Sequence, residues 1–119
     1  MQYLLMIYHD ETLRAEMLEA QNGKIVQECD AFAQSLVKSG HYRTGARLQP
    51  TSMATTVREK SGKRVITDGP FAETKEQLAG YLLIDCQDLD EAMAIAARFP
   101  SMRFGAAVEV RPVMPPSER

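Results

Sequence analysis

The chain has 119 residues, 45% of them hydrophobic and 25% charged, with a formal net charge of -2. That is one domain's length and an ordinary globular composition, which excludes both a disordered polymer and a chain with two separate cores. The slightly acidic balance removes the simplest electrostatic case for direct nucleic-acid binding, and no apolar run is long enough to span a bilayer.

From the N-terminus, Tyr3 to Tyr8 is an unbroken apolar run, which predicts a strand covered on both faces. No basic segment precedes it and His9-Asp10-Glu11 closes it, so it reads as a first strand and not as a signal peptide. Thr12 to Gln21 is rich in helix formers, and Asn22-Gly23 breaks the short helix they predict. From Lys24, the residues Ile25, Val26, Cys29, Phe32, Ala33, Leu36 and Val37 recur at spacings of three and four. They predict an amphipathic helix that Gly40 stops. His41 to Leu48 reads as a weaker strand and Pro50-Thr51-Ser52 as a loop. Ala54 to Glu59 and Lys63 to Thr67 flank Lys60-Ser61-Gly62, the signature of an exposed or edge hairpin.

Asp68-Gly69-Pro70 forces a change of direction. An aspartate can cap the turn, glycine is free to take positive φ, and proline fixes its own φ. A strand from about Ala79 to Cys86 follows. Asp88 and Glu91 then open a helix as a capping box, with Ala92, Met93, Ala96 and Phe99 as its buried stripe and Pro100 as its end. Ala107 to Val113 alternates as a half-buried strand, and residues 115–119 read as a tail after a single domain over 1–114. With the hairpin set aside, the order is βαββαβ, which predicts an α+β, ferredoxin-like domain with an inserted β-hairpin. Such a domain leaves one sheet face open. A face this apolar calls for a second copy, so a homodimer is expected.

The run TDGPFAETKEQLAGYLLID, the helix DLDEAMAIAARFP and the closing VEVRPV resemble the DGPF proteins, a branch of the YCII-related family. The opening YLLMIYHDE and the segment LQPTSMATTVRE fit the same pattern, so the likeness runs over nearly the whole chain. It implies a ferredoxin-like domain paired into a dimeric α+β barrel, and a genetic neighbourhood of alternative sigma factors. The wider family resembles small lactone isomerases and dehalogenases and carries a proposed His–Asp dyad. Here Cys29 or a neighbour stands at the position of the histidine and Phe99 at that of the aspartate, so neither dyad member is carried over.

The polar candidates therefore come from elsewhere in the chain. Asp68 and Glu73 could act as acid and base if they converge on a cleft; alternatively Asp68 caps its turn and Glu73 pairs with Lys75. His9 could act as a base oriented by Asp10, although neighbouring strand residues point to opposite faces. Lys75 could hold an anion, and Tyr81 could donate to a ligand, with Gly69, Pro70 and Phe71 completing a binding loop. His41 is expected beside the helix C-terminus. Cys29 and Cys86 lack any CxxC spacing and read as reduced thiols of a cytoplasmic protein. No metal-ligand spacing or phosphate-binding glycine loop is present, so neither metal nor cofactor is expected. Two functions remain: a dimeric module binding a small ligand or protein partner in transcriptional stress control, or a small acid–base enzyme acting on a lactone-like or carboxylated molecule.

Overall fold

The computed structural model describes residues 1–118. Strand β1 (Gln2–His9) leads into helix α1 (Glu11–Ala20), and the turn at Asn22-Gly23 passes the chain to helix α2 (Lys24–Lys38). Strand β2 (Tyr42–Arg47) and a 3-10 turn (Thr51–Met53) precede the hairpin strands β3 (Thr55–Lys60) and β4 (Lys63–Asp68). Strand β5 (Gln77–Asp85), helix α3 (Leu89–Ala97), a turn (Pro100–Phe104) and strand β6 (Ala107–Pro112) complete the body. Of the expected tail, Pro116–Glu118 form one more turn, and Arg119 lies outside the described residues.

The main sheet runs β2-β5-β1-β6 with every neighbour antiparallel. With two helices crossing one side, this is the ferredoxin-like arrangement. Burial shows which side. Tyr3, Leu5 and Ile7 of β1 are buried against Leu82 and Ile84 of β5, and Phe32, Leu36, Ala92, Ile95 and Ala96 close over them from the helices. Phe32 meets Phe99 edge to face, with ring centroids 5.8 Å apart. The alternate residues Leu4, Met6 and Tyr8 are only half-buried, as are Tyr81 and Leu83 beside them. The expectation that β1 is covered on both faces is thus met on the helix side alone.

The local signals are mostly realised. Asp88 accepts from Glu91 N–H at 2.9 Å, but the Glu91 carboxylate reaches back to Gln87 N–H at 3.1 Å and not to its expected partner, Asp88. In α3 the buried stripe is Ala92, Ile95 and Ala96. Met93, placed in that stripe from the sequence, is 46% exposed because it sits one residue around the helix from Ala92. His41 donates or accepts across 2.7 Å with Ser39 Oγ at the end of α2, and its other ring nitrogen lies 3.2 Å from Glu91. Ser61 (φ +53°) and Gly62 (φ +76°) form the two-residue turn of the hairpin, whose twist matches that of the flanking strands. The hairpin is a separate two-stranded sheet, and apart from half-buried Thr56 every residue of its strands is exposed.

Candidate functional site

The Asp68–Phe71 stretch serves as the root of the hairpin. Gly69 takes φ +102°, its N–H donates to Ala54 O at 2.7 Å, and the Thr56 hydroxyl donates to Gly69 O at 2.7 Å. Arg58 donates to Phe71 O at 3.2 Å. The expected carboxylate cap is not made, because backbone groups and Thr56 already hold this turn. Asp68, Phe71, Glu73 and Lys75 are exposed, Gly69 and Pro70 half-buried. Among the described residues the charged side chains of Asp68, Glu73 and Lys75 make no hydrogen bond or ion pair. None of these residues lines the cavity between the helices and the sheet.

The enclosed space lies elsewhere, between the helices and the sheet. It is a cavity of about 290 Å³. Its floor includes Ile7, Leu82 and a pair of glycines on adjacent strands, Gly45 and Gly80. A Cβ on Gly45 would lie 2.7 Å from Leu82 Cδ2, and one on Gly80 2.7 Å from Ala46 O, so both strands need glycine there to approach and leave the floor low. Met17, Ala33 and Phe99 form apolar walls. The polar lining is His9, Arg14, Cys29, Asp30, Arg47 and Ser101.

Of the residues singled out from the sequence, His9 and Tyr81 line this cavity. Tyr81 is paired with Met6 and alternates with buried Leu82, so its side chain belongs to the open sheet face and its backbone borders the cavity. His9 is 3% exposed, and its ring nitrogens lie 3.2 Å from Asp10 O and 3.1 Å from Phe104 O. Each ring nitrogen thus faces a backbone carbonyl at hydrogen-bond distance, which fixes the orientation of the ring. The Asp10 carboxylate does not orient it. That group caps α1, accepting from Thr12 N–H at 2.9 Å and Leu13 N–H at 3.2 Å.

Cys29 Sγ stands 3.7 Å from Ser101 Oγ, joining α2 to the Pro100–Phe104 turn. Burial pushes the Cys29 thiol up from its ordinary value, and the Ser101 hydroxyl offsets only part of that. The sulfur is therefore a protonated thiol at neutral pH and a poor nucleophile. Arg47 sits 3.9 Å from Asp30, with both side chains more than half exposed, a pairing too loose to occupy the guanidinium. Arg14 makes no ion pair among the described residues. Two cations thus border the cavity against one carboxylate. Arg14, Asp30, Arg47 and Ser101 escape a reading of the sequence, because nothing local marks them. Their only trace is that Asp30 follows Cys29 at the edge of the apolar stripe of α2, and that Arg47 follows Gly45 by two on β2. No group of three or more His, Cys, Asp or Glu among the described residues is placed to hold a metal ion.

Fold and cavity together define a ferredoxin-like α+β domain with a small pocket between sheet and helices. The chain belongs to the YCII-related family, whose domain model matches residues 1–117. It is 37% identical to an uncharacterised protein of Rhizobium meliloti (strain 1021), over 95% of this chain and 92% of that one. Among solved structures it is similar to 5-chloro-2-hydroxyhydroquinone dehydrochlorinase (TftG) from Burkholderia phenoliruptrix AC1100, in complex with 2,5-dihydroxybenzoquinone. That likeness has a TM-score of 0.54 at 15% identity and covers 96% of this chain and 94% of the other, which shows a shared fold. Phe99 lines the cavity, and so does Cys29, which with its neighbours stands where the family resemblance sets the dyad histidine.

Proposed function

We propose that this protein is a dimeric small-molecule-binding module whose ligand occupies the cavity between sheet and helices. The observation that carries this reading is the charge of the cavity wall, Arg14 and Arg47 against Asp30, over an apolar floor. Such a site suits a compact molecule with an apolar or aromatic body and a carboxylate or other anionic group. With Cys29 or a neighbour at one dyad position and Phe99 at the other, neither the histidine nor the aspartate of the dyad is in place, which favours binding over turnover. The apolar open face of the sheet supports the homodimer, and the family resemblance supports a role in transcriptional stress control.

Thermal shift and calorimetry against small carboxylated aromatics and lactone-derived acids test this reading. Binding should raise the melting temperature, by the equivalent of about 2.7 kcal/mol at a ligand concentration 100 times Kd. Arg47→Ala should weaken that binding about 10- to 100-fold while the free protein melts as before, since its ion pair is exposed. No stabilisation by any anionic member of the panel would sink the proposal.

The second reading is a small acid–base enzyme acting on a lactone-like or carboxylated molecule. The fold shared with a dehydrochlorinase favours it. Asp68 and Glu73 would be its acid and base and Lys75 a substrate contact alongside Gly69, Pro70 and Phe71. His9 as a further proton carrier and the Tyr81 side chain as a substrate contact lie on opposite faces of the sheet and would not serve one substrate together. It requires a turnover that Asp68→Ala or Glu73→Ala abolishes in a folded protein.

A further inference from the structure

The hairpin β3–β4 has no counterpart in the core it is attached to. A chain of 13.3 kDa folded as a compact monomer exposes about 6,450 Å², yet this one exposes 8217 Å². Its Cα radius of gyration is 16.2 Å, where 119 residues in a compact body give about 13.5 Å. The surplus surface, about 1,800 Å², is what one chain gives up in a large, obligate homodimer interface. An isolated two-stranded hairpin is marginal in water, so this one needs something to pack against.

Its own chemistry says what that is. Val57 and Ile66 face each other across the hairpin and are 62% and 63% exposed, an apolar pair with nothing over it. Around them the strands carry Arg58, Lys60, Lys63 and Arg64 against Glu59 and Asp68, a net +2 in a chain of net -2. The remainder of the chain is therefore at net -4, with exposed acidic residues such as Glu16, Glu19, Asp88 and Asp90. A basic, apolar-faced arm and an acidic body are complementary, and a second copy of this chain supplies that body. Two copies exchanging arms satisfy both at once.

We propose that the β3–β4 hairpin is a dimerisation arm, laid through its Val57–Ile66 face onto a second copy of this chain, which returns its own arm in the same way. This rests on the homodimer named above and adds to it a contact that the open sheet face does not provide.

Sedimentation over a dilution series and limited trypsin digestion separate the two ideas. The wild type should be a dimer that dissociates on dilution, with cleavage at Lys60, Lys63 and Arg64 slow in the dimer and fast in the monomer. Val57→Asp/Ile66→Asp should raise the dimer dissociation constant about 100-fold or more with unchanged far-UV circular dichroism. Val57→Thr/Ile66→Thr, which keeps strand propensity, should give a smaller increase, so that a folding failure in the first variant does not decide the matter. A wild type that stays monomeric at every concentration overturns the dimer and the arm together. A stable dimer whose dissociation constant ignores both variants, with cleavage independent of concentration, overturns the arm and leaves the dimer. Protection of the arm by a DNA duplex and not by protein concentration also overturns it.

Discussion

At Cys29 burial and hydrogen bonding oppose each other. Its thiol is held up by desolvation, and the Ser101 contact at 3.7 Å draws it part of the way back. Alkylation by iodoacetamide should therefore titrate with a midpoint above the ordinary 9.0, and Ser101→Ala should move it higher still. A midpoint unmoved by Ser101→Ala would mean that the two side chains do not interact. The same shift has a stability consequence of definite sign. Because the folded thiol holds its proton more tightly than the unfolded one, its contribution is fully present below the unfolded value and is lost as pH rises through the folded one. Asp10 illustrates how a residue's neighbours in the chain mislead. Beside His9 it looks like a catalytic orienter, yet its oxygen is committed to two N–H groups of α1. Asp10→Ala should cost about 1 kcal/mol of stability and leave ligand affinity unchanged, checked by urea unfolding and calorimetry together.

Among the elements, what could be read from the sequence was whatever depends on near neighbours. The Ile25, Phe32 and Leu36 stripe of α2, the Asp88 cap, the Ser61-Gly62 turn and the alternation of Val108 and Val110 are all fixed within a few residues and form as expected. Val37, expected in that stripe, is instead 49% exposed at the last turn of the helix. Apart from His9 and Tyr81, the cavity lining was not legible, because it is made by elements that meet only in three dimensions. Arg14 comes from α1, Asp30 from α2, Arg47 from β2 and Ser101 from a turn after α3, and none carries a motif. The motif that stands out, Asp68-Gly69-Pro70-Phe71, does so because a root turn needs its backbone geometry. Where two elements share the core the cost of damage is large. Ile84 is fully buried near the C-terminal end of β5, and Ile84→Ala should cost about 2–5 kcal/mol in chemical denaturation, far more than any hairpin substitution in the monomer.

As a whole the molecule is a slab, 47 × 46 × 18 Å, one helix layer and one sheet thick, with an arm set off from it. A body with a buried core and a hairpin without one should differ in how they open. In dilute solution the amides of β3 and β4 should exchange with solvent close to the rate of an unfolded chain, while those of β1 and β5 are protected to the level of global unfolding. Raising the concentration should slow exchange in the hairpin selectively. Uniform protection at every concentration would show that the hairpin is stable by itself.

The glycine pair under the cavity also decides how this chain can diverge. Side chains cannot be added at Gly45 or Gly80 without pushing two strands apart, so the floor is frozen by backbone spacing. Ala33 and Met17 overhang the same space from helices that can shift by small amounts to absorb a change of size. A lineage or a designer wanting a different ligand must therefore remodel the ceiling, and variants that do so should trade one ligand shape for another without disturbing the sheet beneath.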